Sequence, residues 1–167
     1  MTETNVIQGY TRQETANICG VNPSRLSYLD RNDLVVPQKI GNPKKPVCIY
    51  TWTQLLELKA IFKMREDISL QSIRQLVMFL ETNSQTGLLS DKEIIICGDD
   101  VYWHSEENSE RVLIQIKSKI KNFSPGQYAI MELIIIPNIA TLKGEIIDMV
   151  KSSEKLKKQG ILERIPA

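Results

Sequence analysis

Between Thr11 and Arg31 the sequence encodes two helix starts and one helix stop in a single short stretch, which leaves little freedom in how that segment folds. Thr11 and Glu14 stand in capping-box spacing, so the threonine can accept from the amide of residue 14 while the glutamate reaches back to the amide of residue 11. Gly20 ends this first helix and Val21 fills the turn. Asn22 caps the next helix, and Pro23 takes its first position, where a missing N–H costs nothing. The second helix is predicted to run to about Arg31. Two short helices joined by a tight, glycine-containing turn make a helix-turn-helix, whose second member commonly enters the major groove of DNA.

The residues that follow predict a hairpin and two further helices. In LVVPQKIGNPKKPVCIYTW, two β-rich pieces at residues 34–36 and 47–50 flank a cluster of Gly, Pro and Lys, the pattern of a projecting wing. Thr51 and Gln54 form another capping-box spacing, ahead of a helix that ends near Arg65. Ser69 caps a fourth helix, in which Ile73, Leu76, Val77 and Leu80 fall at i, i+3, i+4 and i+7. The polar run TNSQTG is the best linker in the chain. The expected organisation is therefore α+β. A winged helix-turn-helix of four helices plus a wing hairpin occupies residues 1–82, residues 83–87 are a linker, and residues 88–167 form a small β-rich domain with a C-terminal amphipathic helix.

In that second part, Glu93–Cys97 and residues 101–104 read as a hairpin turned by Gly98-Asp99-Asp100. Residues 111–116 fit a strand or the start of a helix equally, because so short an apolar run does not settle the period. Ser124-Pro125-Gly126 marks a turn before residues 128–136, the most β-prone segment present. One amphipathic helix is expected over residues 140–158, with Leu142, Ile146, Val150 and Leu156 on one side. Ile146, Val150 and Leu156 are candidate self-association contacts, and packing inside the second domain is an equal use for them.

Composition narrows the function classes. The 167 residues carry a net charge of +1, so a nucleic-acid surface has to be a local patch. Residues 1–82 hold ten Lys and Arg against eight Asp and Glu, and the remainder eleven against twelve. That asymmetry permits DNA binding by the first part without arguing for it. Cys19, Cys48 and Cys97 are odd in number and lack metal-ligand spacing, which argues against a zinc site or a disulfide framework. Thr2, Glu3 and Thr4 stand where a signal peptide would be basic, and no apolar run approaches the length of a membrane span. A soluble cytoplasmic chain is expected, without a membrane, cofactor or metal.

On the second helix, Ser24, Arg25, Ser27 and Tyr28 can stay exposed while Leu26 and Leu29 turn inward. Arg25 is suited to a guanine edge or a phosphate, and the hydroxyls of Ser24, Ser27 and Tyr28 to phosphate or base atoms. Asn22 at the helix start and Arg12 at the start of the first helix extend the candidate surface. In the wing, Lys39, Lys44 and Lys45 alternate with Gly41, Pro43 and Pro46, which holds positive charge on a stiff loop suited to phosphate contact. Each feature alone also fits a solvated surface. Asp99, Asp100 and His104 fit hairpin chemistry better than a catalytic or metal site, and no Cys-His, Ser-His-Asp or glycine-rich phosphate-loop pattern is present. No catalytic residue is assigned.

Residues 10–81 resemble the DNA-binding domain of the MerR family of bacterial regulators. The resemblance rests on YT-x-x-E-x-A-x-x-x-GV at the first helix, SYLDRNDLVVP around the second, IYTWTQLLELKAI at the third and ISLQSIRQLV at the fourth. It implies that the second helix and wing of each subunit bind a pseudo-palindromic operator as a homodimer, and some members of the family distort promoter DNA. This chain has Ser27 and Cys48 where the family commonly has arginine, and both changes remove a phosphate-binding cation. The long helix and cysteine cluster of metal-sensing members are absent. GDDVYW and SPGQYAIMELI instead resemble the tail of MerR-like antitoxin proteins, which implies a role for residues 88–167 in dimerisation or in binding a protein partner. The reading is a transcriptional regulator acting on double-stranded DNA. The alternatives are an antitoxin or adaptor that binds protein, and an architectural protein of the phage excisionase type.

Overall fold

The chain alternates helix and strand in the order β1 (Tyr10–Thr11), α1 (Arg12–Cys19), α2 (Pro23–Arg31), β2 (Gln38–Ile40), β3 (Val47–Tyr50), α3 (Trp52–Met64), α4 (Leu70–Asn83), β4 (Glu93–Cys97), β5 (Asp100–Glu107), β6 (Glu110–Lys117), β7 (Leu133–Ile136), α5 (Ile139–Ser152) and α6 (Glu154–Lys158), before a terminal 3-10 turn (Leu162–Arg164). The structure, a computed structural model, describes residues 8–83, 88–90, 92–97, 100–107, 110–117, 133–136 and 139–167. The class is α+β. By compactness the chain divides into residues 1–59 together with 143–167, and residues 60–142.

In the first unit the helix boundaries follow the capping chemistry. The Glu14 amide donates to Thr11 Oγ1 at 3.2 Å and the Thr11 amide to Glu14 Oε2 at 2.9 Å, which completes the capping box. Gly20 closes α1 in the left-handed region (φ 67°), where a side chain would be strained. Asn22 Oδ1 accepts from the Ser24 amide at 2.9 Å and Pro23 opens α2. Leu26 and Leu29 point inward and are buried. The second capping box also forms, with the Gln54 amide donating to Thr51 Oγ1 at 3.2 Å and the Thr51 amide to Gln54 Oε1 at 3.0 Å.

The wing differs from expectation in its first strand. Residues 34–36 are not a strand; Asp33 takes a positive φ of 56° and the Leu34 amide donates back to the Leu29 carbonyl, so this stretch finishes α2. Val35 is buried as a plug beneath the turn. Pairing begins only past Pro37, which has no amide to give, and matches Gln38 with Ile49, Lys39 with Cys48 and Ile40 with Val47. A short strand at Tyr10–Thr11 pairs on the far side of β3, which gives the sheet order β1-β3-β2.

The second unit contains an antiparallel sheet in the order β6-β5-β4-β7. β6 shows that residues 111–116 are a strand. Ile94, Ile96, Val101 and Trp103 are buried at alternate positions of β4 and β5, as period 2 requires. His104 stands opposite Glu93 across these strands, with Nδ1 and Oε2 2.8 Å apart. In α4, Ile73, Leu76 and Leu80 are buried, and the Ser72 amide donates to Ser69 Oγ at 3.1 Å. The expected turns at residues 98–99 and 124–126, and the linker beyond residue 83, lie outside the described residues.

The C-terminal helix is two helices. Ser153 leaves helical geometry (φ −108°, ψ 112°) and its hydroxyl accepts from the Leu156 amide at 3.4 Å, so it ends α5 and caps α6. Ile146, Val150 and Leu156 are buried in the single chain, 0%, 0% and 2% exposed, as core packing requires of them. Residues 143–167 cluster with the helix-turn-helix. Arg164 meets Glu14 there, with Nη2 2.7 Å from Oε1.

Burial pulls the Glu14 carboxyl up, but the hydrogen bonds from Arg164 and Thr11 outweigh it and hold it below its ordinary value of 4.5. A carboxylate depressed in the folded state adds stability above its unfolded pKa and loses it as the pH falls through the folded one. Urea unfolding at neutral and acid pH should therefore show stability falling below the usual carboxylate range. Glu14→Gln should flatten that fall, because its amide oxygen can keep the Thr11 contact without the charge. Thr11→Ala should cost about 1 kcal/mol at neutral pH through loss of the cap.

Candidate nucleic-acid interface

The carboxylate of Asp30 sits only 8% exposed at the end of α2, where two cations from other elements converge on it. Lys39 of the wing places Nζ 2.9 Å from Oδ1, and Arg12 of α1 places Nη2 3.7 Å from Oδ2. The same Arg12 Nη2 donates to Cys48 Sγ at 2.9 Å, which adds β3 to the cluster. Tyr50, two residues along β3 on the same face as Cys48, is fully buried; burial pushes its hydroxyl up in pKa and Arg12 acts in the opposite direction. The buried acid is held by one charge-assisted hydrogen bond from Lys39 and a longer ion pair with Arg12, and losing the cations would leave its charge uncompensated. The cluster therefore fixes α1, α2 and both wing strands against one another.

Two residues read from sequence as phosphate contacts belong to this cluster. Arg12 and Lys39 are engaged with Asp30, so their charge is already partly neutralised within the protein. Ser27 is half-buried and its hydroxyl donates to the Pro23 carbonyl at 3.3 Å, an i−4 bond within the helix. The Asn22 side chain is occupied as the cap of α2. In contrast, Ser24, Arg25 and Tyr28 are exposed on α2, Tyr28 to 50%. Gly41 to Lys45 are exposed as well, at the wing tip.

The tip has its own internal scaffold. Gly41 adopts φ 86°, and Asn42 accepts from the Lys44 amide through Oδ1 at 2.9 Å and from the Lys45 amide through its carbonyl at 2.9 Å. This Asx turn presents Lys44 and Lys45 from a fixed backbone. Arg31, exposed at the last turn of α2 with Nε on the Ser27 carbonyl at 3.3 Å, adds a cation that sequence reasoning passed over. Asp30 was passed over too, although its position four residues after Leu26 marks it as part of the inward stripe. Asn42 carried the ordinary signal of an Asx turn, an asparagine just after glycine.

Two helices about a tight turn, with a hairpin bonded to the second of them, define a winged helix-turn-helix. Residues 10–78 match the family model described as MerR HTH family regulatory protein, which supports a MerR-type helix-turn-helix in that part of the chain. That description is of a regulatory protein built on a helix-turn-helix. No curated protein matches the chain. Among the described residues, no helix is long and apolar enough to cross a membrane.

Asp30→Ala should destabilise the chain by about 2 kcal/mol, less than a fully buried pair because Lys39 and Arg12 keep some contact with water. Chemical unfolding of the variant measures it. The double variant Asp30→Ala, Lys39→Ala should lose little beyond Asp30→Ala alone, since Lys39 is 46% exposed and returns to water once the acid is gone.

Proposed function

We propose that this chain is a transcriptional regulator that binds double-stranded DNA as a homodimer, laying α2 in the major groove and the wing along the backbone. The observation that carries the reading is the exposed cation set, Arg25 on α2 with Lys44 and Lys45 on the wing tip, presented by a MerR-family helix-turn-helix. Arg25 offers a bidentate fork to a guanine edge or a phosphate; Ser24 and Tyr28 offer hydroxyls; the lysines offer point charges to phosphates. The Lys39–Asp30 pair ties β2, at the base of the wing, to α2.

A dimer follows from size. One short recognition helix makes few base contacts, and pairing two half-sites restores affinity and specificity. Residues 88–167, with Ile146, Val150 and Leu156 on their apolar stripe, are the proposed source of self-association. The same region is the place for a protein partner. A chain working on chromosomal DNA is cytoplasmic in a bacterium. A second reading, an antitoxin-like or adaptor protein that binds DNA weakly, draws on the neutralisation of Arg12 and Lys39 by Asp30.

Selection of bound fragments from genomic DNA, followed by gel shifts across a salt series, tests these readings. Affinity should fall steeply as salt rises, and Lys44→Ala with Lys45→Ala should flatten the log-log slope by about two units. Arg25→Ala should cost about 1–3 kcal/mol if it reads a base. A salt slope unaltered by the double wing variant would remove the wing from the interface. Weak binding that no sequence improves would favour the adaptor reading.

A further inference from the structure

Arg164, three residues before the end of the sequence, has a protein acceptor for every one of the five N–H groups a guanidinium carries. Nε donates to the Gly160 carbonyl at 3.4 Å; Nη1 donates to the Gly9 carbonyl at 3.0 Å and to Glu14 Oε2 at 3.3 Å; Nη2 donates to Glu14 Oε1 at 2.7 Å and to the Gln159 carbonyl at 3.2 Å. Its guanidinium carbon lies 5.2 Å from the centre of the Tyr10 ring, and the Tyr10 hydroxyl donates back to the Arg164 carbonyl at 2.8 Å. An exposed ion pair alone contributes little. A guanidinium that is bidentate to a carboxylate, saturated by carbonyls and stacked on an aromatic ring is a fixed joint. Leu156 and Ile161, 2% and 0% exposed, anchor the same tail on either side of Gly160.

The joint grips the point from which the reading head is assembled. Tyr10 and Thr11 are β1, paired with Tyr50 and Ile49 of the inner wing strand, and Arg12 is the next residue, on Asp30 and Cys48. Gly9 leaves no room for a side chain, since a Cβ there would collide with the Ile49 side chain. A shift of β1 would therefore move the wing, and a shift of Arg12 would loosen Asp30 at the end of α2. We infer that residues 153–167 are a strap, latched by Arg164 on Glu14 and Tyr10, that holds the wing and recognition helix in their binding geometry without touching DNA. Arg164 is thus a positioning residue, and release of the tail lowers DNA affinity. This inference rests on the DNA-binding reading.

The test uses the full chain with Arg164→Ala, Arg164→Lys and Glu14→Gln, read by gel shift on a selected duplex and by amide hydrogen exchange at residues 10–14. Arg164→Ala should weaken binding about tenfold, while the salt slope stays at its wild-type value because no phosphate contact has been removed. Exchange at residues 10–14 should accelerate. Arg164→Lys, which keeps the charge but not the fork, should fall between the two and serves as the readout if the alanine variant does not fold. Glu14→Gln should weaken binding in the wild-type background and add little to Arg164→Ala, as expected for two ends of one contact. Unchanged affinity in both Arg164 variants overturns the inference, whether or not exchange accelerates. So does a drop in affinity accompanied by a flatter salt slope, which would place Arg164 on the DNA itself. If the wild-type chain binds no duplex, the regulator reading fails and the strap's role in DNA binding fails with it, whereas exchange at residues 10–14 still reports separately whether the latch exists.

Discussion

The carboxylate of Asp30 is the constraint on which the rest of the reading head depends. A carboxylate buried at the end of a short helix is costly unless cations reach it, and here they arrive from the first turn of α1 and from the wing. The requirement to satisfy one charge thus becomes a rule about relative position: α1, α2 and the hairpin have to meet at that point. Apolar packing of Leu26, Leu29 and Tyr50 supplies the attraction, but it is non-directional. The ion cluster supplies direction.

The two charge clusters of the first unit do different things. At Asp30 the acid is buried and its partners are partly exposed, so the acid depends on the cations more than they depend on it. At Arg164 the cation is 36% exposed but its geometry is saturated, so its value lies in orientation rather than in escape from water. They are joined in sequence, because Glu14 and Arg12 stand on the first turn of α1, one facing the tail and the other facing α2. That first turn is therefore loaded from both sides. Its own capping box, Thr11 with Glu14, keeps it from fraying under the load, and Glu14 serves both the cap and the latch.

How far the sequence discloses this depends on the range of the interaction. Caps and stops are local chemistry, and Thr11, Gly20, Asn22, Pro23, Thr51 and Ser69 all act within a few residues of where they stand; their helices were legible. The first wing strand was misplaced because LVV has strong β propensity, yet Asp33 and the backbone bond from Leu34 to Leu29 commit it to closing α2, a tertiary demand that propensity does not carry. The break at Ser153 was hidden because residues 140–158 keep their apolar spacing across it. Lys39 illustrates the limit best. Its neighbours Lys44 and Lys45 share its chemistry and lie within the same hairpin, and only the fold decides that Lys39 faces Asp30 while the other two face water. Tail packing on α1 had no sequence signal beyond an arginine near the end.

Neutralising two of the cations inside the unit has a consequence for specificity. Phosphate attraction is insensitive to sequence, whereas base contacts are not. If the reading head binds DNA as proposed, pairing Arg12 and Lys39 with Asp30 lowers the indiscriminate part of its affinity and leaves a larger share to α2 and to geometry. Such a head depends more than a strongly basic one on being held rigid, because it has less long-range attraction to correct a misaligned encounter. The Asp30 cluster and the Arg164 joint then belong to one design: charge is withdrawn from the surface and used to fix the few groups that remain there.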